Sequence, residues 1–142
     1  MKIVINGQVI DENTKPYFIA EMSGNHNNDI DRAKELIWHA KRAGASAVKL
    51  QPYTADSITL NSKNKEFYID DGPWKGQYLY DLYETASTPL EWHESLFSYA
   101  HEIGITIFSS PFDNDAVDLL EGLDAPAYKI ASPGIVDIGL IE

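Results

Sequence analysis

Four short apolar runs, each leading into polar residues, recur along the chain and predict β-strands. Each run has five or six residues, which suits strands better than helices, and is rich in β-branched, aromatic or other apolar side chains. The runs are Tyr17–Glu21, Ala47–Gln51, Ile105–Ser110 and Ala127–Ser132. A stretch with proline, or with glycine and asparagine, follows each run, so we interpret each as a strand that enters a loop.

Between these runs, apolar residues recur at the spacing of amphipathic helices. The first helix starts at Ile30, with Asn28 or Asp29 as its cap, and Gly44 ends it. Further helices are predicted over 78–86, 89–102 and 114–123, and Thr88-Pro-Leu-Glu91 reads as a capping box for the second of them. Residues 52–76 lack periodicity and predict a long loop.

The chain begins with two β-prone runs on either side of Asn6-Gly7. Both of these residues tolerate a positive φ, so the pair predicts a type I′ hairpin turn. We therefore expect an N-terminal β-hairpin over residues 1–16.

Strands that alternate with helices predict an α/β fold with right-handed crossovers and a parallel sheet. Four such units make about half of a (β/α)8 TIM barrel, which typically needs ~250 residues. We expect residues 17–142 to form this N-terminal half, preceded by the hairpin. An open flavodoxin-like sheet is the alternative, but its Gly-rich phosphate loop is not evident.

Composition and charge narrow the classes of protein further. The 142 residues are 44% hydrophobic, enough for one domain with a core, and carry a net charge of −11 with scattered lysines and arginines. That charge opposes nucleic acid binding. The chain has no cysteine, which excludes disulfides and thiolate metal sites, and no apolar run suggests a membrane partner or export. We expect a cytoplasmic protein.

Polar side chains cluster where the predicted strands end, which is where parallel α/β folds bind ligands. These residues are Glu21 and Asn25 after strand one, Lys49 and Gln51 on strand two, Ser109 and Ser110 on strand three, and Lys129 and Ser132 on strand four. Lys49 and Lys129 rise from apolar strand centres, where an unpaired charge is costly. They predict an anion clamp, although lysines paired with carboxylates or turned to solvent are the alternative.

The histidines indicate a functional site less clearly than the strand-end residues do. His26, with Glu21, could bind a sugar hydroxyl or a metal, but a histidine beside asparagine more commonly hydrogen-bonds within its loop. No two histidines have a convincing ligand spacing, so we predict no complete metal site in these residues. We assign the tryptophans and tyrosines to packing.

Four ordered motifs resemble the strand-end motifs of the sialic acid synthase family. They are Phe18-Ile-Ala-Glu-Met-Ser-Gly-Asn-His, Ala45-Ser-Ala-Val-Lys-Leu-Gln, Phe108-Ser-Ser-Pro-Phe-Asp and Tyr128-Lys-Ile-Ala-Ser. The segment Trp74–Pro89 and Glu91-Trp-His resemble the pseudaminic acid synthase branch in particular.

The resemblance implies a transferase of carbohydrate biosynthesis that condenses phosphoenolpyruvate with an N-acetylated amino sugar, a diacetamido-trideoxy hexose in the pseudaminic branch. The products are a nine-carbon nonulosonic acid and phosphate. It implies that Lys49, Ser110, Lys129 and Ser132 hold phosphoenolpyruvate, that Glu21 meets the sugar or the developing charge, and that Asn25 and Gln51 line the pocket. It also implies a divalent metal, manganese or magnesium, whose histidine ligands lie on later strands.

The chain departs from this family in two respects. It ends soon after strand four, so we expect a truncated form that is inactive alone, and Gly134 stands where the family usually has an active-site glutamate. A catalytically silent half-barrel that binds an anionic metabolite or pairs with another chain is the alternative function. A synthase acting on a shorter sugar phosphate would need a further basic cluster, which is not visible. Open barrel edges also predict self-association.

Overall fold

A hairpin opens the computed structural model, which describes residues 2–142. Strand β1 (Ile3–Ile5) pairs antiparallel with β2 (Gln8–Ile10), and Val4 lies opposite Val9. The turn residues Asn6 and Gly7 have φ values of 47° and 77°, the left-handed pair that a type I′ turn needs. The predicted range 1–16 includes residue 1, which lies outside the described residues.

A parallel sheet of three strands forms the centre of the fold. The strands β3 (Ile19–Glu21), β4 (Ala47–Leu50) and β5 (Thr106–Ser109) lie side by side in chain order. Ala20 pairs with Val48, which pairs with Ile107. The predicted parallel order of the first three strands is therefore confirmed. The hairpin lies at the amino end of this sheet, where the Asn6 amide donates a hydrogen bond to Thr106 Oγ1 at 3.1 Å.

Helices follow the strands and connect them, as the periodicity predicts. They are α1 (Ile30–Arg42), α2 (Ala55–Ile58), α3 (Leu79–Ala86), α4 (His93–Ile103), α5 (Asn114–Gly122) and α6 (Ile138–Ile141). Asp29 caps α1 by accepting hydrogen bonds from the backbone of Asp31 and Arg32. Asp113 caps α5 through the amide of Ala116.

The core lies between one face of the sheet and the helices. Val48, Leu50 and Ile107 on the strands pack with Ile37 of α1 and Leu96 of α4, and all five are almost completely buried. Successive strand residues point to opposite faces, so the intervening residues of the strands face away from these helices. That second face carries the polar residues described below.

The predicted fourth strand is reduced to a single parallel bridge between Ser109 and Tyr128. Pro126 and Pro133 bracket the segment and lack the N–H groups that a strand ladder needs. Lys129 still donates its backbone N–H to Ser109 at 3.1 Å, and Ser132–Val136 then form a 3₁₀ turn. The prediction of a strand over 127–132 is therefore wrong in extent, although the segment lies where a fourth strand would begin.

The predicted capping box at Thr88 is also wrong. Leu90–Trp92 form a 3₁₀ turn, α4 starts only at His93, and its N-cap Trp92 makes no side-chain cap bond. The Thr88 side chain is buried beside His26 instead. The segment 52–76 has more local order than predicted, since Thr54 caps α2 and Lys65–Phe67 form a 3₁₀ turn.

None of the helices in residues 2–142 has the length and apolar character required to cross a bilayer.

Candidate functional site

The face of the sheet that points away from the helices gathers most of the predicted site residues. Glu21 pairs with Lys49 across β3 and β4, so their side chains point to the same side. The bridge from Ser109 to Tyr128 puts the residues after each of them, Ser110 and Lys129, on that same face. The strands therefore bring both predicted lysines to one side of the sheet, with Ser110 at its carboxyl end.

Lys49 is almost completely enclosed, with 3% of its side chain exposed. Its Nζ lies 3.6 Å from Glu21 Oε1, and the Glu21 side chain remains 59% exposed. Burial lowers the pKa of Lys49, the Glu21 carboxylate opposes that shift, and the charge of Lys129 adds to it. Lys49 thus has a carboxylate partner, as expected if the strand lysines pair with carboxylates. The positive charge of Lys129 also acts on it.

A cleft of about 500 Å³ opens beside this face. Gln51 and Lys129 line it, together with Ser132 from the 3₁₀ turn that follows the fourth strand segment. Ser110 does not line the cleft, and its hydroxyl is buried with no hydrogen-bond partner among the described residues. A buried polar atom without a partner is unusual, and it marks a position where a ligand atom or a water could bind. The cleft therefore joins one exposed cation to several hydroxyl and amide groups.

Glu21, Lys49 and Ser110 share the open face of the sheet but do not line the cleft, and Ser109 and Asn25 are not on that face. Ser109 shares its face with Leu50 and Ile107, so its buried hydroxyl points toward the helices. Neighbouring strand serines cannot both face one side. Asn25 lies in the loop after β3, where its side-chain amide donates to Met22 O at 2.9 Å and its backbone oxygen accepts from Arg32 Nε.

Three aromatic residues line the cleft, two tyrosines that we assigned to packing from the sequence and one phenylalanine that we did not single out. They are Tyr53, Tyr83 and Phe112. Tyr53 and Phe112 each come two residues after a predicted strand-end residue, Gln51 or Ser110, so position relative to the strand was the available signal. Tyr83 lies on α3, and only the folded path of the 52–76 excursion brings it here.

His26 contacts both the loop after β3 and the segment that precedes α4. Asn28 donates its backbone N–H to His26 Nδ1 at 3.1 Å, so the ring hydrogen is on Nε2, which lies 3.4 Å from Thr88 Oγ1. The ring also meets Trp92 edge-on at 5.4 Å. In the same loop, a Cβ on Gly24 would lie 3.0 Å from the carbonyl oxygen of Ala86, so the close approach to α3 requires glycine. His26 is a loop hydrogen-bonder.

The free energy of unfolding should fall as the pH drops below about 6.5, the ordinary value for histidine, because of His26. Burial lowers its pKa, so the unfolded chain binds a proton that the folded chain resists, and stability is lost as pH falls toward the lowered pKa. Urea unfolding at pH 7.5 and pH 5.5 measures this. His26→Gln should reduce the difference, and the buried His93, whose pKa burial also lowers, accounts for the remainder. The exposed control His101→Gln should leave the difference unchanged, and an equal difference in both variants would contradict the assignment.

The residues that the structure describes do not fit a divalent metal. Between residues 2 and 142, no three carboxylate or histidine side chains are grouped closely enough to hold an ion. His93, which is fully buried, donates from Nδ1 to Pro89 O at 3.1 Å and lies in α4 against the core. We therefore assign no step of any reaction to a metal held by these residues.

Comparison with known sequences identifies a family. A family model described as the NeuB family matches residues 36–142. The pseudaminic acid synthase of Helicobacter pylori is 52% identical over 89% of this chain, which corresponds to 37% of the relative. That of Campylobacter jejuni serotype O:2 is 49% identical over 83% of the chain and 34% of its own length. The chain thus spans about a third of the length of these relatives.

Solved structures with the same fold agree with these sequence matches. The N-acetylneuraminic acid synthetase of Leptospira borgpetersenii, in complex with citrate, has a TM-score of 0.81 at 26% identity, covering 99% of this chain and 45% of its own. The spore coat polysaccharide biosynthesis protein spsE of Bacillus subtilis has a TM-score of 0.67 at 30% identity, covering 93% and 34%. The three-stranded parallel sheet fits a partial barrel of this kind.

Proposed function

The chain belongs to the NeuB family, and on that premise we propose that it forms part of a nonulosonic acid synthase of the pseudaminic acid type. The proposed reaction joins phosphoenolpyruvate to an N-acetylated amino sugar. The methylene carbon of phosphoenolpyruvate bonds to the aldehyde carbon of the sugar, whose oxygen takes a proton and becomes a hydroxyl. Water adds to C2 of the former enol, the C2–O bond to phosphate breaks, and the products are a 2-keto acid and inorganic phosphate. We also propose that residues 17–142 are the first four βα units of a (β/α)8 barrel, with the hairpin of residues 1–16 at its amino end.

The observation that carries this proposal is the placement of two lysines on one face, at a cleft lined with polar groups. Lys129 lines the cleft directly, and its charge acts on the buried Lys49. Phosphoenolpyruvate carries a phosphate and a carboxylate, so it needs more than one cation. In a chain with a net charge of −11, such an anion needs local cations that act against the overall field, and this pair supplies them.

We assign roles to the residues around this pair. Lys129 and Ser132 bind the exposed end of phosphoenolpyruvate, Lys49 and Ser110 bind its inner end, and Gln51 lines the path between them. Fixed donors of this kind orient the enol carbon toward the sugar and need no reorganisation when charge develops. Glu21, which remains more than half exposed beside Lys49, is positioned to accept a hydrogen bond from the sugar.

Gly134 is the main departure from the family pattern, and it lines the same cleft. A Cβ added there would meet Ile130 and Leu140 only at 4.0 Å, so the site has room for a larger side chain. We propose that turnover by this chain is slow or absent for lack of the family's glutamate. Substrate binding is then the primary property of these residues.

Phosphate release from phosphoenolpyruvate tests the proposed function. The assay contains purified protein, manganese and a diacetamido-trideoxy hexose, and a parallel sample lacks the sugar. We expect little or no sugar-dependent release from the unmodified protein and faster release from Gly134→Glu. Calorimetry with phosphoenolpyruvate alone accompanies the assay. A protein that neither binds phosphoenolpyruvate nor releases phosphate in a sugar-dependent way does not have this function.

The second candidate function, a catalytically silent half-barrel that pairs with another chain, is favoured by one surface. We define the terminal apolar patch as Ile135, Val136 and Ile138, which are 67%, 81% and 59% exposed. Adjacent exposed aliphatic side chains are a common feature of interaction surfaces.

The average molar mass should rise with protein concentration, because burial of the terminal apolar patch favours self-association. Light scattering over a concentration series measures it. Val136→Lys should lower the mass at each concentration, whereas Lys75→Ala, at an exposed position in the 52–76 excursion, should not. A constant monomer mass at high concentration would contradict self-association.

A further inference from the structure

Three aromatic rings in the cleft form a fixed arrangement. Tyr53 lies between Tyr83 and Phe112, with ring centroids 6.0 Å and 5.7 Å away and interplanar angles of 82° for both pairs. Edge-to-face contacts of this kind are favourable beyond the area they bury. The three rings come from the segment after β4, from α3 and from the segment after β5, so they hold three separate parts of the chain around one side of the cleft.

Packing alone leaves one group unexplained, the Tyr53 hydroxyl. Tyr53 is 7% exposed, yet its hydroxyl makes no hydrogen bond to another of the described residues. It also differs from the Tyr17 hydroxyl, which lacks a partner but is fully enclosed. Tyr53 lines the cleft and its hydroxyl is not among the enclosed atoms without a partner, so it retains access to the cleft. Burial, with Tyr83 nearby, raises the pKa of Tyr53 to about 12, so the group is a neutral donor at physiological pH.

The charges of the cleft divide it into two parts. Lys129, Ser132 and Gln51 supply a cation and polar groups, and the Asp137 carboxylate also lines the cleft. The aromatic part offers apolar rings and the hydroxyls of Tyr53 and Tyr83. The aromatic part has no cation to bind an anion, and a surface rich in sugar hydroxyls would leave most of them without partners there. An acetamido group matches it, because its methyl can lie against rings while its carbonyl oxygen accepts one hydrogen bond.

We propose that Tyr53, Tyr83 and Phe112 form the subsite for an acetamido group of the sugar. This inference rests on the proposed function. It assigns the aromatic side of the cleft to an acetamido group of the sugar and the lysine side to phosphoenolpyruvate. The methyl packs against the rings of Tyr83 and Phe112, and the Tyr53 hydroxyl donates to the acetamido carbonyl oxygen. Specificity for acetylated over free amino sugars then arises from these residues rather than from the lysines.

Saturation-transfer NMR with purified protein and a diacetamido-trideoxy hexose tests the contact directly. Irradiating the aromatic protons should transfer more saturation to an acetyl methyl than to the ring protons of the sugar. Tyr83→Ala should remove this preference, because it removes one of the two rings. Tyr80→Ala is the matched control, since Tyr80 lies on the same helix and its hydroxyl bonds to Asp56 outside the cleft. No preferential transfer to a methyl in the unmodified protein overturns the proposal.

Calorimetry separates this inference from the proposed function. Tyr53→Phe should raise the Kd for the sugar by roughly 3- to 10-fold, the usual effect of one hydrogen bond, and leave the Kd for phosphoenolpyruvate unchanged. Tyr80→Phe should change neither. If phosphoenolpyruvate fails to bind the unmodified protein, the proposed function fails. If phosphoenolpyruvate binds but Tyr53→Phe leaves the sugar Kd unchanged, or shifts both constants equally, the subsite assignment alone is wrong.

Discussion

Replacing Lys129 with alanine should weaken the binding of phosphoenolpyruvate by roughly 10- to 100-fold. At an effective dielectric constant near 20, a cation about 4 Å from one unit of ligand charge gains on the order of 4 kcal/mol before desolvation. Lys129 is exposed, so solvent screens part of that energy and the expected loss is correspondingly smaller. Calorimetry with phosphoenolpyruvate measures the change.

Lys15→Ala provides the matched control for Lys129→Ala. Lys15 is also an exposed lysine, and it lies just before β3, at the amino end of the sheet and opposite the cleft. Both variants change the net charge by the same amount, so a global electrostatic effect would weaken binding equally in the two proteins. Equal affinities in the two variants would show that Lys129 has no local role.

Replacing Lys49 with methionine should raise the stability of the protein and weaken phosphoenolpyruvate binding at the same time. Burial lowers the pKa of Lys49, so folding penalises the charged lysine throughout the neutral range. Methionine fills a similar volume without a charge, and Glu21 is exposed enough to remain hydrated. We expect the free energy of unfolding to increase by about 1 to 3 kcal/mol at pH 7. Phosphoenolpyruvate affinity should decrease by at least an order of magnitude.

The pH dependence distinguishes this explanation from ordinary improvement of packing. Between the lowered pKa of the folded state and the ordinary value of 10.5, the unfolded chain binds more protons, so the stability of the unmodified protein rises with pH. The advantage of Lys49→Met should therefore shrink as the pH rises through that window. Glu21→Gln should have the opposite effect and destabilise the protein, since it leaves the buried ammonium without its carboxylate. An advantage for Lys49→Met that is constant with pH would indicate packing alone.

The sequence was sufficient for the parts of the fold that depend on local periodicity and turn chemistry. The Asn6-Gly7 hairpin, the Asp29 cap and the first three parallel strands follow from residues that are neighbours in the chain. Lys49 and Lys129 could also be placed on one face, because side chains alternate between the two faces along every strand of a sheet and small residues flank both lysines at that spacing.

The features that depend on distant contacts could not be read from the sequence. Thr88 lies in a sequence typical of a capping box, but its hydroxyl contacts the buried ring of His26, which is distant in the chain. Ser109 and Ser110 are identical residues next to each other in the sequence. Only the strand register shows that Ser109 faces the helices and Ser110 faces the open side of the sheet. Tyr53 reads as core because an aromatic residue after a strand is most often core, and its access to a cleft depends on where α3 lies.

The hairpin has a practical consequence for how binding to this protein can be measured. Its bond from Asn6 to Thr106 holds residues 2–10 at the amino end of β5, whereas Lys129 and Ser132 lie beyond the carboxyl end of the sheet. A fluorophore or a sensor surface attached near Lys2 would then face away from the cleft. Immobilised protein should consequently keep the same ligand affinity as protein in solution, and attachment near Ser132 should not.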